Sequence, residues 1–268
     1  MVYVPCGRCP ECLNAKRTAW AYRIQKEMLS HQAPTFFLTI TYDEDHIPVT
    51  AAGVPTVRKS AVQKFLKRIR KSIWTDYQKR LRYFMAAEYG PTTSRPHYHG
   101  FLFGLNLDQE IVDRYVRDAW PLASIIDVQV CDQWSSVYAV KDLIAVSDYP
   151  EGAEPTFYLR STRPGLGALW IPPDRTLDLH DPRRLTERQP GGKNVLIPRY
   201  LIERWYSKYD LDRIKSNARL EREDEENLYA RSLARSIVQD SHDPAAYTRM
   251  LDRKLRRFKD KRIQSSKL

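Results

Sequence analysis

Residues 81–104, LRYFMAAEYGPTTSRPHYHGFLFG, decide the fold because they predict a β-hairpin. Two segments rich in aromatic and aliphatic side chains flank the turn sequence PTTS, as in paired strands. Strand residues two positions apart project from the same face. His97 and His99 are therefore expected on one face and Tyr98 on the other. Glu88 ends the first strand, and the hairpin can bring its carboxylate beside the two imidazoles.

This hairpin predicts a metal site. Two imidazoles and one carboxylate, from His97, His99 and Glu88, make a three-ligand site for a divalent ion that leaves positions open for substrate. An H-x-H pair alone is a weak signal, and ordinary surface or core histidines are the alternative. The strand context, the facing carboxylate and the basic chain favour the metal site.

The segments around the hairpin predict an α+β fold with a central, mostly antiparallel sheet flanked by helices. The alternation of helical and strand periodicity gives the order α-β-α-β-β-α-β-α. The remaining elements are a helix over 12–31, a strand over 36–42, a helix over 57–74, a helix over 107–120, a strand over 124–130 and a helix over 132–146.

The chain divides into three regions by composition. Residues 1–146 hold the sheet and a cysteine-rich beginning, and residues 147–197 are an irregular, Pro/Gly-rich region. Residues 198–268 are predicted to be largely helical and highly charged.

Composition limits the classes of protein. The 268 residues carry 44 Lys and Arg against 33 Asp and Glu, a net charge of +11, with 42% apolar residues. This composition excludes collagen, low-complexity disorder and a disulfide scaffold. No stretch approaches the roughly 18 consecutive apolar residues of a membrane span, and the first residues lack the apolar core of a secretory signal. We therefore expect no membrane association.

Positive charge is concentrated in two segments. Residues 58–82 hold ten Lys or Arg and one acid, Asp76, and residues 249–268 hold nine Lys or Arg and two acids. Such segments favour a polyanionic partner, with nucleic acid first. Solvated helix faces are the alternative.

Two further patterns carry chemistry. Tyr138 and Lys141 are three residues apart on a predicted helix, so they share a face, and a tyrosine hydroxyl can serve as a nucleophile if its phenolate is stabilised. A half-buried Tyr beside an extended Lys is the alternative. The three cysteines of C-x-x-C-x-x-C can bind a structural Zn²⁺ or part of an iron–sulfur cluster, or be reduced thiols; they are Cys6, Cys9 and Cys12, and Cys131 or His31 could supply a fourth ligand.

Together these motifs resemble the HUH endonuclease superfamily. FFLTITYD, EYGPTTSRPHYHGFLFG and VYAVK match its three motifs in order. The chain is most similar to the replication initiation proteins of gokushovirus-type microviruses, which are small single-stranded DNA phages. The segments PCGRCPECLNAKRTAWAYR, RPGLGALW and IPRYLIERW extend this resemblance from residue 5 to about residue 206.

The resemblance implies a mechanism. His97, His99 and Glu88 would hold Mg²⁺ or Mn²⁺, and Tyr138 would cut origin DNA by transesterification, leaving a 5′-phosphotyrosyl bond and a 3′-hydroxyl for rolling-circle replication. Lys141 would stabilise charge at the reacting centre. Phosphate contacts are expected from Lys64, Lys67, Arg68, Lys71 and Arg95.

The resemblance also implies partners and a location. We expect single-stranded DNA at a replication origin and host replication proteins as partners, and the cytoplasm of the bacterial host as the location. No small-molecule cofactor is expected.

One position departs from the family pattern. Relatives commonly carry Y-x-x-K-Y, whereas Asp142 stands here in place of the second tyrosine. A two-tyrosine relay is therefore in doubt, and a single-tyrosine scheme remains. The other functions left open are a single-tyrosine transposase or relaxase, a non-catalytic zinc-containing single-strand binding protein, and a zinc hydrolase.

Overall fold

The computed structural model describes residues 6–7, 9–90, 92–122, 125–131, 149–171, 186–188, 194–238, 252–253 and 255–257. Contacts divide the chain into two compact units. One contains Met1–Arg8 and Lys16–Pro172, and the other contains Cys9–Ala15 and Pro173–Leu268.

A five-stranded antiparallel sheet forms the centre of the first unit, and this confirms the predicted α+β class. Its strands are β1 (Thr35–Thr41), β2 (Arg82–Tyr89), β3 (Pro96–Phe103), β4 (Ile126–Cys131) and β5 (Phe157–Arg160). Their order is β4-β1-β3-β2-β5, and every neighbouring pair is antiparallel. The predicted hairpin is therefore present as β2 and β3.

Helices surround this sheet, and short elements follow it. The helices are α1 (Pro10–Leu29), α2 (Lys59–Tyr77) and α3 (Gln109–Ala119), with a 3₁₀ turn at Glu44–His46. The later elements are β6 (Thr186–Arg188), β7 (Asn194–Leu196), α4 (Arg199–Trp205) and α5 (Lys208–Val238), and β6 pairs with β7. Within the described residues, no helix is long and apolar enough to cross a membrane.

The larger core lies on one face of the sheet, against α2 and α3. The amphipathic pattern of α2 is confirmed, because its apolar residues are all buried: Val62, Phe65, Leu66, Ile69 and Ile73. They pack with β1 and with Tyr98 and Trp120, which are almost fully buried. Burying each such side chain contributes about 1.5–3 kcal/mol, so this face supplies most of the apolar stabilisation.

The smaller core lies on the opposite face, under α1. Trp20, Ile24 and Met28 pack against Phe84 and Phe101. Because α1 covers only part of this face, the sheet beyond it is available for polar residues.

A buried ion pair ties α1 to the sheet. The Glu27 carboxylate is fully buried and accepts hydrogen bonds from Arg82 on β2 and from the backbone N–H of Gly167 at 2.7 Å. His31 Nε2 lies 2.9 Å from the same carboxylate. These partners satisfy both oxygens, so the charge is compensated.

Several predicted bounds need correction. The first helix begins at Pro10, which suits a first helical position, and ends at Leu29 rather than at residue 31. The largest difference is β5, which lies inside the region predicted to be irregular. This strand has only four residues and every one is half-buried, so it lacks the alternation by which strands are recognised. The helix predicted over 132–146 lies outside the described residues.

Candidate metal centre

The hairpin brings the three predicted ligands together. Glu88 lies directly opposite His97, and His99 lies opposite Ala86. One ligand atom from each of Glu88, His97 and His99 falls within 4.8 Å of the other two. The two imidazole rings are 4.8 Å apart and nearly perpendicular, at 79°. All three side chains are half-buried, so the site is sheltered but reachable.

The tyrosine between the histidines fixes which way they face. Tyr98 is completely buried, and its hydroxyl bonds with the Tyr42 hydroxyl at 2.9 Å and accepts the Arg58 backbone N–H at 2.8 Å. Turning the strand over would remove these bonds and leave buried polar groups unpaired. The His-Tyr-His order therefore forces both imidazoles onto the other face.

Gly100 allows the two strands to come close beside the site. A Cβ atom at this position would lie 2.2 Å from Met85 Sδ and 2.5 Å from the Phe84 carbonyl oxygen. Because one of these neighbours is backbone, a larger residue would push the strands of the hairpin apart. The glycine therefore belongs to the geometry that aligns Glu88 with His97.

Each imidazole has a partner for one ring nitrogen. His97 Nδ1 lies 3.1 Å from the Arg95 carbonyl oxygen, which can only accept, so Nδ1 donates and Nε2 points towards Glu88. His99 Nδ1 lies 2.8 Å from Thr39 Oγ1, and the His99 ring stacks on Phe37 at 12°. Such partners fix ring orientation in metal sites.

Glu88 provides the test of whether a cation fits. One carboxylate oxygen lies 3.8 Å from His97 Nε2, whereas the other, Oε1, is buried and has no hydrogen-bond partner among the described residues. A buried carboxylate oxygen without a partner is costly unless a ligand satisfies it. Two imidazoles and this oxygen therefore suit a divalent cation, with further coordination positions open.

The electrostatics also couple His97 to the carboxylate. Burial lowers the pKa of His97, but the Glu88 carboxylate and the Arg95 carbonyl outweigh it, so the pKa lies above its ordinary value. An imidazolium cannot coordinate a metal, so protons compete with a cation for this site.

The predicted phosphate-binding residues lie in two different settings. On α2 the four basic side chains are exposed: Lys64, Lys67, Arg68 and Lys71. Arg95 is already engaged, because its guanidinium donates to Glu44 and to the Tyr42 carbonyl oxygen. No local pattern in the sequence indicates that ion pair, since Glu44 lies about 50 residues before Arg95.

The remaining predicted residues divide by whether the structure describes them. Tyr138, Lys141 and Asp142 lie outside the described residues. The sulfur atoms of the three N-terminal cysteines, Cys6, Cys9 and Cys12, lie within 4.8 Å of one another.

Within the part of the chain that the structure describes, neither residue considered as a fourth ligand is grouped with these cysteines. Cys131 is buried in the smaller core, and His31 is bonded to Glu27.

An antiparallel α+β unit with a clustered His-His-carboxylate site defines the class of the protein as a candidate metal-binding domain. Comparison with known proteins then gives the family. Residues 35–143 match the family model of replication-associated protein ORF2. The match spans β1 through β4 and includes all three candidate metal ligands.

Three phage proteins are similar to the chain. Replication-associated protein ORF2 of Spiroplasma virus 4 is 26% identical over 79% of this chain and 72% of its own length. Replication-associated protein VP4 of Bdellovibrio phage phiMH2K is 28% identical over 76% of this chain and 67% of its own length. Replication-associated protein ORF4 of Chlamydia phage 1 is 31% identical over 38% of this chain and 24% of its own length.

These matches confirm the resemblance drawn from the sequence: the chain belongs with the replication-associated proteins of microvirus phages. Among solved structures, the N-terminal nuclease domain of non-structural protein-1 of minute virus of mice overlaps 54% of this chain and 78% of that chain, with 11% identity and a TM-score of 0.20.

Proposed function

We propose that this replication-associated protein is a metal-dependent HUH-type endonuclease that nicks single-stranded origin DNA. The observation that carries the proposal is the hairpin site, where Glu88 Oε1 is buried and, among the described residues, has no partner beside two oriented imidazoles. The family supplies the biological setting, which is the replication of a phage genome.

The residues of the hairpin hold and orient the reacting phosphate. His97 and His99 offer ring nitrogens to a divalent ion, Mg²⁺ or Mn²⁺, and Glu88 offers its unpaired oxygen. When bound, such an ion neutralises charge that develops on the non-bridging phosphate oxygens. The Arg95 carbonyl and the Thr39 hydroxyl keep the imidazoles in place through their Nδ1 atoms.

Tyr138 is the proposed nucleophile. Its phenolate oxygen forms a bond to phosphorus while the bond to the 3′-oxygen breaks, and the 3′-oxygen takes up a proton. The products are a 5′-phosphotyrosyl enzyme and a free 3′-hydroxyl that primes synthesis. The phosphodiester energy is kept in the new bond, so rejoining needs no nucleotide triphosphate. Lys141 stabilises the phenolate and the charge of the transition state.

A test of this function is formation of a covalent adduct. The full chain is incubated with labelled oligonucleotides that tile the phage origin strand, with Mn²⁺, and resolved on denaturing gels. Wild type is expected to give a protein–DNA band, and Tyr138→Phe, which removes one oxygen, is expected to give neither band nor nick. Tyr149→Phe is the matched control, since Tyr149 is an exposed tyrosine. Nicking by Tyr138→Phe would overturn the nucleophile assignment.

A non-catalytic single-strand binding protein is the second candidate, and the cysteine group favours it. Three clustered sulfur atoms can hold a structural Zn²⁺. Such a protein would bind the same oligonucleotides and form no adduct with any divalent ion. The denaturing gel therefore separates the two functions.

A further inference from the structure

A basic cleft lies at the end of the β2–β3 hairpin opposite the candidate metal centre. It has a volume of about 1380 Å³ and is lined by α2, by the start of β2, and by the segment around and after the end of β5. Eight Lys and Arg residues line it: Lys67, Arg70, Lys71, Lys79, Arg80, Arg82, Arg160 and Arg163. No lining residue is an Asp or Glu, so the cleft is strongly positive.

Most of these cations are not used to hold the fold together. Arg82 is bound to Glu27, and the Arg160 guanidinium lies 4.9 Å from the Trp20 ring centroid. Among the described residues, none of the other six takes part in an ion pair. Unpaired like charges that converge on one concave surface repel each other and lower stability. Such an arrangement is favourable when an anion fills the cleft.

One face of α2 builds a wall of the cleft. Lys67, Arg70, Lys71 and Trp74 follow the spacing i, i+3, i+4, i+7, which places them in one stripe. Lys64 and Arg68 are equally exposed on the same helix but do not line the cleft. The helix therefore presents two basic faces, of which one faces the cleft.

Trp74 indicates what kind of anion the cleft accepts. The residue is 45% exposed in the midst of these cations, and the Arg80 guanidinium lies 5.7 Å from the ring centroid. An exposed aromatic ring in a basic groove offers a surface on which an unpaired base stacks. A site for a single small molecule occupies roughly 300–1,000 Å³, so this cleft suits a longer occupant.

We propose that the cleft is a second binding surface for single-stranded DNA, separate from the metal centre. It binds consecutive phosphates through the lysines and arginines, and Trp74 stacks on a base. The metal centre lies about six residues further along β2, about 20 Å away at the rise of a strand. The choice of DNA as the occupant rests on the proposed function, whereas the binding itself needs neither metal nor Tyr138.

Anisotropy titrations in EDTA test the cleft without the metal centre. The probe is a fluorescein-labelled dT₂₀ oligonucleotide, titrated with the full chain at several salt concentrations. Lys67→Ala/Lys71→Ala is expected to weaken binding about tenfold and to flatten the log–log salt slope by about 1.4, because each lost phosphate contact removes roughly 0.7. Lys59→Ala/Arg114→Ala is the matched control, since it removes two exposed cations that do not line the cleft.

Two further variants protect the test from misfolding and from a purely electrostatic explanation. Lys79→Ala/Arg163→Ala removes two cleft cations that do not lie on α2, and it should give the same loss as the first pair. Trp74→Ala should weaken binding about tenfold with an unchanged salt slope, because stacking releases no counterions. Each variant is checked by its thermal unfolding midpoint.

The outcomes separate this proposal from the proposed function. Equal losses in the cleft and control pairs, or a cleft pair that weakens binding of dT₂₀ hybridised to dA₂₀ but not of dT₂₀ alone, would overturn the cleft. Loss of dT₂₀ binding only in the cleft variants supports it, even if no covalent adduct forms with any oligonucleotide. In that case the nuclease proposal fails and the cleft stands.

Discussion

Two carboxylates on the same side of the sheet have opposite surroundings. Glu27 is fully buried, and Arg82, His31 and the Gly167 backbone together satisfy its oxygens. Glu88 is half-buried, faces His97 at 3.8 Å, and leaves one buried oxygen without a partner among the described residues. A complete set of protein partners is what a structural ion pair requires. An incomplete set, next to two imidazoles, is what a ligand-binding site requires.

The largest expected effect breaks the incomplete site. His97→Ala or His99→Ala should reduce nicking below detection while leaving dT₂₀ affinity within about twofold, because metal ligation serves the chemistry and phosphate contacts supply the affinity. Quantitative gels and anisotropy measure the two properties. His46→Ala is the control, since His46 is an exposed histidine bonded to Asp43. Full Mg²⁺-dependent nicking by both mutants would remove the metal assignment.

The next effect breaks the complete site. Glu27→Ala should lower the free energy of unfolding by about 3–5 kcal/mol, because Arg82 would remain buried without its counter-charge. Glu88→Ala should change it by less than about 1 kcal/mol, since only a loose, partly exposed pair is lost. Urea unfolding measures both. Comparable losses for the two substitutions would show that Glu88 is structural as well.

Acid should reveal the same difference. The pKa of Glu27 is shifted upwards by burial, but its hydrogen bonds to His31, Arg82 and Gly167 prevail and lower it below the unfolded value of 4.5. Its contribution to stability is therefore complete above that value and is lost as the pH falls through the lower folded pKa. The stability gap between wild type and Glu27→Gln should narrow in this acidic range. Glu110→Gln, at an exposed position, is the control.

The metal ligands and the structural ion pair differ in how far sequence predicts them. The facing of His97, His99 and Glu88 follows from two-residue periodicity and one turn, both of which are local. The partners of Glu27 come from segments about 55 and 140 residues away, and no local pattern indicates them. The same holds for β5 and for the cleft, where α2 meets residues near Arg163. Local periodicity thus predicted the candidate site, while long-range packing determined its surroundings.

A smaller effect sharpens the role of Glu88. Glu88→Gln should lower Mn²⁺ affinity by about 10–100-fold rather than abolish binding, because an amide carbonyl still coordinates but carries no charge. Titration calorimetry of the DNA-free protein measures this directly. The stability of the variant should match wild type, because Glu88 Oε1 has no partner among the described residues to lose. Unchanged Mn²⁺ affinity would exclude Glu88 as a ligand.

The smallest expected effect separates the two basic faces of α2. The sequence treats Lys64, Lys67, Arg68 and Lys71 as equivalent, and substituting all four should flatten the salt slope of dT₂₀ binding by about 3 units. The structure divides them, because only Lys67 and Lys71 line the cleft. Lys67→Ala/Lys71→Ala should therefore account for about half of that change or more, and Lys64→Ala/Arg68→Ala for the smaller remainder. A larger change in the second pair would place the DNA on the outer face of α2, and an unchanged slope in both pairs would place it away from this helix, with the C-terminal basic segment the next surface to test.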